Sequence, residues 1–151
     1  MGRFFIPIYV VTVFLPLFSC GSGDSPSPVA SKEPEKLPFL ELGSFPYEER
    51  MVLPPEVMRW KDREVVVTGF MNPMNQTRNI GQFLLVKDRA SCCFGKLPQM
   101  NHFIDVTLRE GEVVHYTKEP VTIKGTLQIG EVWEEDWLLA VYRMEDGVVV
   151  R

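Results

Sequence analysis

Beyond Arg63 the chain alternates between apolar and polar positions. Val121, Ile123, Gly125, Leu127 and Ile129 are interleaved with Thr122, Lys124, Thr126 and Gln128. That period of two gives an extended strand one apolar and one polar face. Arg63 to Met71 (REVVVTGFM) is rich in β-branched residues and contains Gly69, and Gln82 to Asp88 (QFLLVKD) is a short apolar run between turn-like residues. In His102 to Leu108, Ile104, Val106 and Leu108 share a face. Trp137 to Met144 forms another apolar run, and Asp146-Gly147 followed by Val148-Val149-Val150 predicts a hairpin. One short helix is expected, where Pro54-Pro55 pre-sets φ ahead of Glu56-Val57-Met58-Arg59-Trp60.

Five or six short strands with little helical pattern predict an all-β fold. Gly69 and Gly125 fit places where a barrel strand bends or meets another backbone closely. The order "VVVTG", "FLLV", "FIDV", "VTIKGTL" and a closing strand resembles that of an oligonucleotide/oligosaccharide-binding (OB) barrel. Such barrels are five-stranded and partly open, and they bind ligands on one face with help from their loops. The expectation is therefore a small five- to six-stranded OB-like barrel, with a β-sandwich as the alternative.

The N-terminus follows different rules. Arg3 precedes an apolar run from Phe4 to Phe18, closed by Leu17-Phe18-Ser19-Cys20. A cysteine in that setting looks like a lipoprotein lipobox, in which Cys20 becomes a thioether to diacylglycerol and carries palmitate-type chains. A membrane span needs about 20 apolar residues, and this run is shorter and holds Pro7 and Pro16. An ordinary secretory signal prefers an A-x-A-like site, which is absent. Myristoylation wants Ser or Thr at position 6, where Ile6 stands. Gly21 to Glu35 (GSGDSPSPVASKEPE) is polar and proline-containing, and cannot bury enough surface to order itself. The expected organisation is a signal peptide at 1–19, lipidated Cys20 and linker at 20–44, and the barrel at 45–151. Gly21, not being Asp, favours the outer membrane in a two-membrane bacterium.

Charge narrows the partners. Without Arg3, the one charged residue of 1–19, 15 basic residues face 20 acidic ones, a formal charge of −5. That balance argues against nucleic acid, whose binding rests on neutralised phosphates. It also argues against electrostatic adhesion to an anionic leaflet, so acyl chains would supply the membrane attachment.

Gly69-Phe70-Met71-x-Pro73, Phe83-Leu84-Leu85, Cys93-Phe94-Gly95-x-x-Pro98-x-x-Asn101 and Pro120-Val121-x-Ile123-x-Gly125-x-Leu127 occur in that order. Together they resemble an uncharacterised family of small exported bacterial proteins, a domain of unknown function. The resemblance covers about Phe45 to Val150. It implies an envelope protein with an OB-like fold, sometimes found beside transport systems, and supplies no catalytic residues.

The remaining chemistry centres on Arg89 to Asn101 (RASCCFGKLPQMN). A disulfide between the neighbours Cys92 and Cys93 is geometrically poor, because adjacent Cα atoms sit closer than disulfides prefer. Free thiols, a strained vicinal bridge or a bond to another molecule all stay open. Met100, His102, Asp105 and His115 follow, and Cys with His and Met is a soft set suited to copper or zinc. The spacing is not that of a zinc site, however, and His102 and Asp105 fall on opposite faces of a strand. Packing of one Cys as a small apolar residue is the simpler reading. Trp133 and Trp137 flank Glu134-Glu135-Asp136 on a connection that can shape an OB binding face, although such tryptophans more often cover the barrel end. No acid–base pair, phosphate loop or nucleophile elbow is evident.

The sequence thus predicts a membrane-anchored envelope lipoprotein with a non-catalytic OB-like binding or adaptor domain and no resident cofactor. Its partner would be an envelope protein or a small ligand on the periplasmic side, with the protein accessory to a transport system. The alternative is a metal (copper or zinc) or thiol-redox accessory using Cys92, Cys93 and His102.

Overall fold

The computed structural model describes residues 33–89 and 99–150. Cys20, residues 1–32, Cys92 and Cys93 lie outside the described residues. The elements are β1 (Glu35–Lys36), α1 (Phe39–Leu42), α2 (Pro55–Met58), β2 (Arg63–Asn72), β3 (Gln82–Val86), a 3-10 turn (Met100–His102), β4 (Phe103–Leu108), β5 (Val121–Glu134) and β6 (Trp137–Val150). Pro55 stands at the first position of α2, where its missing N–H leaves no helical bond unmade.

The strands form one six-stranded sheet that returns on itself, in the order β1-β2-β3-β4-β6-β5 with β5 also paired to β2. β2 pairs antiparallel with β5 from Arg63↔Leu127 to Gly69↔Val121, then with β3 from Phe70↔Val86 to Asn72↔Leu84. β3 and β4 are antiparallel, β4 and β6 parallel, and β5 and β6 antiparallel. This ring of β2 to β6 is the OB arrangement expected from the sequence.

The interior is apolar. Val65, Val67, Phe83, Leu85, Ile104, Val106, Ile123 and Leu127 are buried in it. Tyr142 is buried among them and donates its hydroxyl to the Leu42 carbonyl at 2.9 Å; burial pushes its pKa up. Both strand glycines mark close backbone approaches. A β-carbon on Gly69 would meet the Val86 carbonyl oxygen at 2.7 Å, and one on Gly125 would meet that of Glu145 at 2.8 Å.

Two expectations are corrected. Asp146-Gly147 is not a hairpin turn: β6 runs through it to Val150, and Val148 and Val149 continue the pairing with β5. The register shift there sets Gly125 of β5 against Asp146 and Gly147, and Asp146 adopts φ 52°. The pair is therefore a bulge, which bends a strand without ending it. The folded unit also begins before Phe45, at Glu33. β1 adds parallel to β2 at Glu35↔Val65 and Lys36↔Val66, and Leu37, Phe39 and Leu42 are buried in the core. The stretch from 35 to 44, read as linker, is part of the domain.

Candidate functional site

At one end of β3 a pocket of about 210 Å³ is lined by Phe39, Leu40, Gly43, Lys87, Asp88 and His102. The termination of β3 at Val86 places Lys87 and Asp88 on its rim, and the 3-10 turn delivers His102. Gly43 lets the imidazole lie against the end of α1, since a β-carbon there would meet His102 Cδ2 at 2.7 Å. Asn101, fully buried beside it, donates through Nδ2 to the Phe45 carbonyl at 2.9 Å, and its Oδ1 has no hydrogen-bond partner among the described residues. The pocket is smaller than the usual range for ligand sites, about 300 Å³ upward.

Beside this rim the outside of the barrel carries a second apolar cluster. Val86, Phe103 and Ala140 are buried there, and Phe70 and Leu84 pack against them half-buried. Register explains the grouping. Phe70 lies opposite Val86, and Val86 opposite Phe103, on the face turned away from the core residues Phe83, Leu85 and Ile104. The sequence carried a signal for this face that the period-two reading passed over. Phe83-Leu84-Leu85-Val86 is apolar at both parities, the mark of a strand buried on both sides.

The other predicted residues are dispersed. Asp105 accepts hydrogen bonds from Gln82 Nε2 at 2.9 and 3.1 Å. His115 accepts the Asn79 backbone N–H at 3.4 Å, in a separate depression with Thr77, Arg78 and Tyr116. Among the described residues no group of three or more His, Cys, Asp and Glu forms a metal site.

Trp133 and Trp137 do not share a face. Trp133 is paired with Leu138 and Trp137 with Glu134, and adjacent pairs project to opposite sides. Trp133 Nε1 donates to Glu131 Oε2 at 3.0 Å, and the Arg50 guanidinium stacks 5.3 Å from its ring. Glu131 is a hub that sequence reasoning missed. Its Oε1 accepts from the Tyr47 hydroxyl at 2.6 Å and from the Arg50 backbone N–H. The Tyr47 hydrogen bond, followed by those from Arg50 and Trp133, outweighs desolvation and lowers the Glu131 pKa. Burial and the same carboxylate push the Tyr47 pKa up. A weak signal existed, because Gly130-Glu131 interrupts the alternation of β5. Trp137, in contrast, is 75% exposed.

No curated protein matches the chain. A crystal structure of a DUF3299 family protein from Pseudomonas aeruginosa PAO1 is similar, with 20% identity, covering 62% of this chain and 64% of that one, at a TM-score of 0.48. This chain thus spans a little under two thirds of that protein. A family model described as a protein of unknown function (DUF3299) matches residues 36–150, from β1 to the end of β6. The chain belongs to the DUF3299 family.

Proposed function

We propose that this protein is a lipid-anchored envelope protein whose barrel is a non-catalytic binding module, holding a partner protein or small ligand on its β2–β3–β4 face. The observation that carries this reading is the apolar cluster outside the barrel. Sheet faces turned to water are ordinarily polar, yet here Phe70 and Leu84 stay half-buried over Val86 and Phe103. OB barrels present ligands to the outer face of their second and third strands, which are β3 and β4 of this chain. The lipobox ending in Cys20 supports the envelope location, and the acidic balance supports a partner other than nucleic acid.

The test is site-specific photo-cross-linking of the full chain in its host. A photoreactive residue at Leu84 is expected to trap a discrete partner, and one at the exposed Thr107 is expected not to. Equal capture at both positions, or none at 84, would overturn the binding face. Metal analysis of the full chain purified without chelator addresses the rival reading. Stoichiometric copper or zinc that disappears in Cys92→Ser and Cys93→Ser would replace the adaptor with a metal or redox role.

A further inference from the structure

The β5–β6 hairpin uses its two tryptophans in opposite ways. On one side, cation, indole and carboxylate come from the chain itself: Arg50 over Trp133, with Glu131 holding the indole N–H. On the other side the indole and the carboxylates recur without the cation. Trp137 is 75% exposed and lies opposite Glu134, with Glu135 and Asp136 forming the turn between them. Leu139, two residues further, is 48% exposed. Among the described residues no cation stacks on Trp137, and Glu134, Glu135 and Asp136 enter no ion pair.

We propose that Trp137 and Leu139, rimmed by Glu134, Glu135 and Asp136, form a docking surface for the basic surface of a partner protein, with a partner arginine stacked on Trp137 as Arg50 stacks on Trp133. A largely exposed Trp is the residue type of an interface anchor. Three carboxylates around it steer a basic partner and repel an acidic one. The same charges disfavour an anionic bilayer, where basic clusters are the attractive feature. Guanidinium fits better than ammonium, because its planar, weakly hydrated face stacks on an indole and its edge serves carboxylates.

The inference rests on the adaptor reading but on residues remote in sequence from Phe70 and Leu84. The full chain in non-ionic detergent is titrated with a fluorescein-labelled peptide of alternating arginine and glycine, and with its lysine counterpart. The arginine peptide is expected to bind more tightly, and Trp137→Ala to weaken it roughly fivefold or more, with Trp137→Phe retaining part of the binding. Replacing Glu134 and Asp136 by Gln and Asn is expected to weaken binding and flatten its salt dependence. Arginine-peptide binding that Trp137→Ala leaves unchanged would overturn the proposal, since net charge alone would then explain it. So would Trp137-dependent binding to phosphatidylglycerol vesicles in place of the peptide. The peptide titration does not involve position 84, so failure here is separable from failure of the cross-link there.

Discussion

A methyl group on Gly69 would sit 2.7 Å from the Val86 carbonyl oxygen, a backbone atom that cannot swing aside. Gly69→Ala is therefore expected to cost about 1–3 kcal/mol. Gly81→Ala, with nothing within 4 Å of its β-carbon, should stay within about 0.5 kcal/mol. Urea unfolding followed by circular dichroism compares the two, and equal costs would discount the close approach. Glu131 makes the second residue-level prediction. Its carboxyl is held below the ordinary 4.5 by the Tyr47 hydroxyl and the Arg50 N–H. A depressed folded pKa contributes stability above the unfolded value that fades as pH falls through the folded one. Glu131→Gln should thus flatten the loss of stability below about pH 4.5, and an unchanged acid limb would show the hub to be energetically idle. Gly69 was legible because a glycine inside a β-branched run needs a reason. Glu131 was not, because Tyr47 meets it across 84 positions of sequence.

Strand β3 tests the division between core and binding face. Leu85, fully buried, should cost about 2–5 kcal/mol on change to Ala. Leu84, half-buried outside the barrel, should cost clearly less in the same thermal or urea titration. An equal cost would make the outer cluster an extension of the core and weaken the adaptor reading. Leu37 tests β1: at 2% exposure, Leu37→Ala should cost about 2–5 kcal/mol, whereas a true linker residue would cost almost nothing. Periodicity made β4 and β5 legible because each alternates over several residues, while β2, β3 and β6 showed as β-branched or apolar runs. A strand of two residues has no period, so β1 was read with the tether from its Glu-Lys-Pro composition. Asp146-Gly147 misled in a related way, since the same dipeptide serves a turn or a bulge. The choice rests on whether the following valines find a partner already in place, and here β5 provides one.

For the whole molecule, strand order was readable because OB topology follows from a linear series of strands, each with its own signature. The candidate site was less so. His102 was found, but its pocket neighbours come from two distant segments, Phe39 and Gly43 from α1 and its cap and Lys87 from the end of β3. Anchorage gives the prediction at this scale: Cys20→Ser should move the full chain from the membrane to the soluble fraction, read by immunoblot after fractionation. Retention of the variant in the membrane would remove the lipid anchor from the account. The two-residue strand β1 then has a mechanical meaning. If the proposed anchor holds, a pull on it would enter the described residues at Glu33, and a few residues later it would reach Leu37, Phe39 and Leu42, wedged in the interior. Leu37 is also tied by its N–H to the Val66 carbonyl at 2.8 Å. Force arriving at Glu33 would therefore enter at the core itself, and would load the barrel interior before any of its loops.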